Sequence, residues 1–547
     1  MPTITIDGRP CEFDGKKSII QVANEHGVDI PQYCYHPGMS VVASCRICLA
    51  EVAQPNPRND NKLELIPKLV PTCQTPAVDG AEVYLKSPKT IANQKAVMEY
   101  LLINHPLDCP VCDQAGECYL QDYSYEYGRA QSRFEETKIK QPKKDLGPHV
   151  LLYADRCIMC SRCVRFTREI SETGEIGVFG RGSREQIDVF PGKPLDNALS
   201  ANVVDLCPVG ALLDKDFLMS MRVWNLSKTA SIDGITASGD NVSIEHNEGR
   251  IYRFKPRTNL EVNRWWLTDE VRFGWKFVHR EDRLRSPMKR APHNAGLEEC
   301  DWNAAYRAIV DKLNELKQQA AKDGDGRLAL MVSPMLTSEE AYLLGRLAVQ
   351  IDDHAILGVG PVPFHGEDKT FADGFTMVAE KAPNARGVKR ALGQVSDDVL
   401  DYDDFVQQAR GRSAVLLTGN YPSEWTTPEL EALVDQADFA CVIDTLPSKL
   451  HEKCDVVLPG ATWAEKEGCF ENHRHRLQSF EQAIPVIELA KPEGQIALDL
   501  MFTAGLAAAR RYDARSLRHE MGDAFATDVH DPPAGEVKTS DLEYVEL

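Results

Sequence analysis

Eleven of this chain's sixteen cysteines, together with one histidine, fall into three quartets within the first 207 residues. No hydrophobic pattern constrains the fold as tightly, because each quartet must be drawn round a common centre by backbone that turns sharply between its members. The quartets are Cys34, Cys45, Cys48 and Cys73; His105, Cys109, Cys112 and Cys118; and Cys157, Cys160, Cys163 and Cys207. The opening MPTITIDGRPCEFDG alternates as a strand and turn and does not read as a signal peptide, which places the chain in the cytoplasm or another reducing compartment. Disulfides are disfavoured there, and closely spaced cysteines read as metal ligands or redox groups.

The first quartet reads C-x10-C-x2-C-x24-C, a stretched relative of the plant-type ferredoxin pattern. Around it, ITIDGRPCEF predicts a hairpin, GKKSIIQVANEHGVDIP a helix, and LAEV, after Cys48, a strand. That order predicts a β-grasp ferredoxin unit over residues 1–85 carrying a 2Fe-2S cluster. The polar run QPNPRNDNKLE reads as a loop insertion that lengthens the last spacing. Cys11 and His36 lie near this site but fit no ligand slot, and are read as structural.

The second quartet reads H-x3-C-x2-C-x5-C in NHPLDCPVCDQAGECYLQ. SPKTIANQKAVMEYLLINH predicts a preceding helix, capped by Ser87 with Pro88 in its first turn, so His105 arrives at a helix end facing the cysteine loop. Zinc is the competing metal for one histidine and three thiolates. Iron-type quartets on both sides favour a 4Fe-4S cluster in a domain spanning 86–143. Neutral imidazole in place of a thiolate removes a negative charge, which raises a cluster's potential.

The third quartet reads C-x2-C-x2-C, followed more than forty residues later by Cys207-Pro208. Two-cluster ferredoxins repeat C-x2-C-x2-C-x3-C-P, each fourth cysteine serving the other cluster. Here the positions for a second set hold Thr167, Asn197, Ser200 and Val203. The 144–222 domain is therefore expected to be ferredoxin-like with a single 4Fe-4S cluster.

HPLDCPVCDQAGECYLQD, the ferredoxin unit before it, and CIMCSRCVRFTREI with CPVGAL after it together resemble the large iron-sulfur subunit of respiratory complex I, the 75 kDa subunit family of NADH-quinone oxidoreductase. The specific likeness covers 1–280, and a weaker one runs to about residue 500. The resemblance implies a peripheral-arm subunit of NADH:quinone oxidoreductase, cytoplasmic and peripheral to the cell membrane. It would pass electrons from a flavin-containing, NADH-oxidising subunit toward a quinone-side ferredoxin-like subunit. It also implies a path order, from the 2Fe-2S cluster to the Cys157 cluster and then to the His105 cluster. Some relatives hold a further cubane between about residues 225 and 265, where WNLSKTASIDGITASGDNVSIEHNEGRIYRFKPR has no cysteine. A small β domain lacking a cluster is expected over 223–280. The rival reading is the iron-sulfur electron-input chain of an NAD-linked hydrogenase or formate dehydrogenase. Those enzymes usually keep the second ferredoxin-type cluster, and a hydrogenase needs further clustered cysteines, whereas Cys300, Cys441, Cys454 and Cys469 stand alone.

In the remainder, DWNAAYRAIVDKLNELKQQ puts Trp302, Tyr306, Ile309, Leu313 and Leu316 at helical steps, and RLALMVSP, SAVLLTGNYP, DFACVIDTLP and CDVVLPG read as buried strands. Strands alternating with helices predict a parallel-sheet α/β domain over 281–525, so the chain as a whole is multidomain α+β and α/β. DVVLPGATWAEKEGCFENHRHRLQ resembles the matching run of molybdopterin oxidoreductases, but the domain is too short to enclose that cofactor. A degenerate scaffold without molybdopterin is expected, and no flavin. GVGPVPFHG matches no nucleotide-binding loop, and Cys454, Cys469, His473 and His475 lack the paired spacing of a zinc site. Residues 526–547 read as an acidic tail. A net charge of −20 argues against nucleic acid as a partner, and no apolar run approaches the roughly 20 residues of a membrane span.

Overall fold

In the computed structural model the described residues are 1–291, 296–323 and 327–526, so the acidic tail lies outside them beyond Ala526. The chain divides into two compact units, one holding Met1–Leu226 with Phe371–Phe375 and the other Ser227–Thr370 with the described residues from Thr376 on.

The first unit opens on the expected hairpin of β1 (Thr3–Ile6) and β2 (Arg9–Glu12), turning through Asp7 and Gly8, both at positive φ. Helix α1 (Ile19–Glu25) buries Ile19, Ile20, Val22 and Ala23. Strand β3 (Leu49–Asn56) runs well past LAEV and pairs with β4 (Lys62–Leu65), so QPNPRNDNKLE is the tip of a β-hairpin and not an irregular loop. The side-chain amides of Asn56 and Asn59 both donate to Glu64 at 2.7 Å, and Asp60 and Asn61 supply the left-handed backbone of the turn. β5 (Glu82–Tyr84) lies between β1, to which it is parallel, and β3, giving the order β2-β1-β5-β3-β4. Cys11 is buried in the core beneath this sheet.

Helix α2 (Pro88–Leu102) begins where the sequence places it: Ser87 Oγ accepts from Thr90 N at 3.2 Å. After α3 (Tyr119–Glu126), strands β6 (Lys143–Asp145), β7 (Val150–Tyr153) and β8 (Leu212–Asp214) form a small antiparallel sheet with β7 in the middle. Helices α4 (Arg162–Glu169) and α5 (Asn202–Leu206) complete the unit. Thr167, Ser200 and Val203, three of the positions where a second ferredoxin cluster would take cysteine, are buried.

The second unit begins with an antiparallel meander of β9 (Ser227–Ile232), β10 (Asn241–Asn247) and β11 (Arg250–Pro256). It shares one core with Leu446, Trp463, Phe470 and Phe480, so the small β region is built into the larger α/β body. That body centres on an eight-stranded sheet. Its parallel strands are β14 (Leu328–Val332), β15 (Ile356–Val359), β16 (Val399–Leu400), β17 (Ala414–Thr418), β18 (Phe439–Asp444) and β19 (Val456–Pro459). With β12 (Met288–Arg290) and β13 (Leu297–Glu299) on one edge, the order is β13-β12-β19-β18-β17-β14-β15-β16. Helix α6 (Trp302–Asp323) packs Tyr306, Ile309, Leu313 and Leu316 into the core on the predicted period.

A buried ionic triad ties this unit together. Lys466, fully out of solvent, lies 2.8 Å from Glu340 and 2.6 Å from Glu493. Those carboxylates sit in the first turns of α7 (Ser338–Ile351) and α8 (Glu493–Thr503), where the helix dipoles favour negative charge. Removing the one cation would leave two buried carboxylates without it. Lys466→Met is expected to destabilise this unit by roughly 3–5 kcal/mol, read as a lower thermal midpoint.

The turn between β9 and β10 holds two buried carboxyls. Asp233 accepts from Ile235 N at 2.8 Å, Thr236 N at 3.1 Å and Ser238 Oγ at 3.0 Å, while Asp240 Oδ2 has no hydrogen-bond partner among the described residues. Burial pushes Asp233 up to about 6, and burial with the neighbouring Asp233 charge drives Asp240 well above the carboxylate range. The folded protein therefore keeps protons that the unfolded chain releases above about pH 4, and stability falls as the pH rises through the folded values. Asp240→Asn is expected to raise the thermal midpoint at pH 8 and to leave it nearly unchanged at pH 3.5.

Candidate metal centres

The four sulfurs of the first quartet come together in two pairs. Cys48 and Cys73 Sγ are 3.6 Å apart, and Cys34 and Cys45 form the second hydrogen-bonded pair. The hydrogen bond from Cys45 draws the Cys34 thiol down, and that from Cys73 does the same for Cys48, while Cys45 and Cys73 move up in return. Two thiolates on each of two irons is the donor arrangement of a 2Fe-2S centre, and the pairs match it. Ala43 and Arg46 hold left-handed backbone in the loop that presents Cys45 and Cys48. His36 is buried, with Nδ1 accepting from Gly38 N at 3.1 Å, a backbone role in keeping with its omission from the quartet.

The residues of the second quartet are carried on loops and a short 3-10 turn. Lys138 Nζ donates to the carbonyls of Leu102 and Ile103, both at 2.8 Å, and so closes the end of α2 just ahead of His105. Burial, with Arg156 and Lys138 adding positive charge, lowers His105 to about 4, so its imidazole is neutral near pH 7 and has a lone pair to give. Cys112 and Cys118 are buried, Cys118 pushed up to about 12 by that burial, whereas Cys109 is exposed. Backbone N–H groups of Gln114 and of Leu120 and Gln121 point at Cys112 and Cys118 and oppose the rise. Gly210 packs directly on this site: a Cβ there would lie 2.2 Å from Cys112 Sγ.

The third quartet lines a small cavity with all four sulfurs, walled by Leu152, Ile158, Ile187 and Val209. Met159 and Ser161 adopt left-handed backbone, an alternation that turns N–H groups inward, and Met159 N lies 3.4 Å from Cys157 Sγ. Burial pushes Cys157 to about 12 and Cys207 to about 11, and it raises Cys160 and Cys163 as well. Buried thiols crowded together and fed by backbone donors favour the thiolate only with a cation between them, and that donor set fits an iron-sulfur cluster.

The sites follow one another in space. Arg165 Nη2 on α4 donates to the carbonyl of Cys34, and Arg162 Nη2 to that of Tyr35, joining the first and third quartets. From the third, the Cys207-Pro208 loop continues to Gly210 against Cys112, with Pro208 O accepting from Tyr119 N at 3.2 Å. Arg156, next to Cys157, donates to Asp108 at 2.8 Å and to Gly210 O at 3.4 Å, joining the third quartet to the second. Sequence reasoning does not single out the three arginines, Lys138 or Gly210. Their signal is slight: two arginines spaced three apart, each beside a cysteine or a residue packed on one, in a short helix.

Three families of iron-sulfur domain match successive stretches of the chain. Residues 1–88 match the 2Fe-2S iron-sulfur cluster binding domain, 94–133 the NADH-ubiquinone oxidoreductase-G iron-sulfur binding region, and 147–213 the NADH-quinone oxidoreductase subunit 3, ferredoxin-like domain. Two of these three descriptions carry the name of an NADH-quinone or NADH-ubiquinone oxidoreductase subunit. Residues 226–276 match the NDSU1/NuoG-like 4Fe-4S domain, although this chain has no cysteine there, and 399–501 match the molybdopterin oxidoreductase family. Relatives include the mitochondrial NADH dehydrogenase [ubiquinone] iron-sulfur protein 1 of Solanum tuberosum, 37% identical over 62% of this chain and 45% of its own length. The 75 kDa subunit of NADH-ubiquinone oxidoreductase from Reclinomonas americana is 37% identical over 64% of this chain and 49% of its own. The mitochondrial 78 kDa subunit from Neurospora crassa is 40% identical over 64% and 46%. The chain thus spans about half the length of the curated relatives it matches. An NAD+-reducing [NiFe]-hydrogenase chain aligns at a TM-score of 0.35 with 26% identity, over 41% of this chain and 91% of that one, a likeness too loose to inform the fold.

In the second unit the crevice where the strand order reverses, between β14 and β17, is the usual place for a ligand in such sheets. Just after β17, the Tyr421 hydroxyl donates to Pro361 O at 2.7 Å and its ring stacks on Trp425. Cys454 and Cys469 belong to different core clusters, and His473 and His475 engage Ala237 O and Glu471, so no zinc site forms from these four. Gly210→Ala is expected to displace the Cys112 thiol and abolish metal binding at the second quartet alone, read as loss of one of the three paramagnetic resonance signals of the reduced chain.

Proposed function

We propose that this chain is an electron-relay subunit of an NADH:quinone oxidoreductase. Cys34, Cys45, Cys48 and Cys73 would hold a 2Fe-2S cluster; Cys157, Cys160, Cys163 and Cys207 a 4Fe-4S cluster; and His105, Cys109, Cys112 and Cys118 a second 4Fe-4S cluster. Such clusters supply reversible one-electron chemistry when bound. The residues of this chain fix their separation, exclude water and supply charge and N–H donors round the sulfurs.

The observation that carries the reading is the continuity of the sites: α4 links the first quartet to the third, and the loop after Cys207 links the third to the second. The Cys157 quartet is therefore the middle station, in agreement with an order that runs from the 2Fe-2S site through it to the His105 site. The last station has an outward face. Cys109 is exposed, and round it stand Leu107, Met219 and Trp224, exposed by 88%, 70% and 64%. Arg222, which donates to Cys112 O and Pro110 O, ties the Met219–Trp224 stretch to the cysteine loop. An apolar rim of this kind suits contact with an acceptor such as a ferredoxin-like, quinone-side subunit. Electrons would enter from a flavin-containing, NADH-oxidising subunit. No helix among the described residues is long and apolar enough to cross a membrane, in keeping with a cytoplasmic, peripheral position in the assembly.

Anaerobically prepared protein is expected to contain about ten irons per chain with matching sulfide and no molybdenum. His105→Cys should alter one 4Fe-4S resonance and leave the other two clusters' spectra unchanged. Stoichiometric zinc, or spectra indifferent to His105→Cys, would overturn the assignment.

A further inference from the structure

Four tyrosines link two of the quartets to the surface of the first unit. Tyr119, Tyr123 and Tyr127 stand four residues apart, so their rings share one face of α3, with Tyr127 capping its C-terminal end. The Tyr119 and Tyr123 rings stack with centroids 5.6 Å apart, and Tyr127 meets Tyr123 edge-on at 5.3 Å. Tyr33 joins from outside the helix, its ring 5.2 Å from that of Tyr123. All three spacings are those of rings in direct contact. The inner ends are chain neighbours of ligands: Tyr33 precedes Cys34, and Tyr119 follows Cys118. Tyr33, Tyr119 and Tyr123 are buried, whereas Tyr127 is partly exposed and lines a surface groove with Asp29, Glu126 and Lys95.

Packing accounts for the rings but not for the hydroxyls. Tyr33 Oη, out of solvent, donates to Met98 Sδ at 3.2 Å, and a thioether is a weak acceptor that offsets little of the cost of burying a hydroxyl. Phenylalanine would fill the same space without that cost. A phenol does what a benzyl group cannot: it gives up one electron readily when a base takes its proton. Methionine sulfur is no such base. At the outer end, Tyr127 Oη donates to Asp29 Oδ2 at 3.4 Å, and a surface carboxylate can accept that proton. An electron vacancy entering at Tyr33 or Tyr119 can therefore pass through Tyr123 and settle at Tyr127, where carboxylate and solvent receive the proton.

We propose that this stack is a protective outlet, in which Tyr33, Tyr119, Tyr123 and Tyr127 carry oxidising equivalents from the first and second quartets to the surface. The proposal rests on the quartets holding iron-sulfur clusters as above. Its co-reactants are a one-electron oxidant arising from peroxide at the metal and a small reductant outside, of the thiol or ascorbate class. Tyr33 or Tyr119 gives one electron to the oxidant, Tyr123 refills that ring, and Tyr127 refills Tyr123 while its phenolic proton moves to Asp29. The net change is one electron from Tyr127 to the oxidant and one proton from Tyr127 to Asp29. The reductant, itself oxidised by one electron, then refills the Tyr127 radical as Asp29 returns the proton.

The test exposes the full cluster-loaded chain to dilute peroxide, with iron release followed by a chelator and radicals trapped by rapid freezing for paramagnetic resonance. Native protein should show a tyrosyl signal. Tyr123→Phe and Tyr127→Phe, which keep the rings, should lose most of it and release iron several times faster. Asp29→Asn, which leaves the stack untouched, should also speed iron release. Tyr125 lies on another face of α3 and is 88% exposed, so Tyr125→Phe should behave as the native protein. Equal iron release in native protein, Tyr123→Phe and Tyr127→Phe would overturn the proposal, as would a tyrosyl signal of native size in both variants. If Tyr123→Phe loads less iron than native protein, unchanged iron release in Tyr127→Phe and Asp29→Asn would do so. Native protein that takes up no iron and sulfide would instead overturn the quartet reading beneath it.

Discussion

Buried thiols do not gather in fours on hydrophobic burial alone. Each that loses water is pushed toward its neutral form, each neighbouring sulfur adds to that pressure, and the loops that carry them hold strained backbone at Ala43, Arg46, Met159 and Ser161. A multivalent cation in the middle reverses every one of these terms, turning crowding into ligation and inward N–H groups into donors to anionic sulfur. The first unit is organised round this requirement: its sheets are small, its helices short, and several of its long-range hydrogen bonds serve loops that carry a cysteine.

The second unit rests on ordinary packing. A parallel sheet buried on both faces supplies the core, and Tyr421 and Trp425 stack beyond the end of β17. Its buried charges are largely matched within the unit, as in the pairing of Arg283 with Glu465 and of Lys466 with two glutamates. The contrast with Arg162 and Arg165 is informative. One unit balances its interior charge with its own side chains, and in the other two buried arginines bond to main-chain carbonyls beside cysteines.

The close-spaced cysteines, Cys45 with Cys48, Cys109 with Cys112, and Cys157 with Cys160 and Cys163, stand out in the sequence because short spacings are local. The same holds for α2, which carries its own cap at Ser87, and for β14, β17, β18 and β19, which read as unbroken apolar runs. What escaped was non-local. The hairpin to β4 looks like a polar loop because its turn is held by amide-to-carboxylate bonds that leave no hydrophobic pattern. β16 has two residues and no period to read. The small meander looks separate because its own sequence gives no hint that its core is completed by Leu446, Trp463 and Phe470. Arg162 and Arg165 look like surface charges on a short helix until the loops around Cys34 and Cys207 are laid over them.

The loop after Cys207 supplies a sulfur to one site, and three residues later its bare Gly210 backbone presses on a sulfur of another. Two centres read from separate motifs thus share a wall. Movement of that loop at its cysteine end therefore reaches Cys112 through three residues of main chain, whereas a side chain added at its glycine end falls on Cys112 alone.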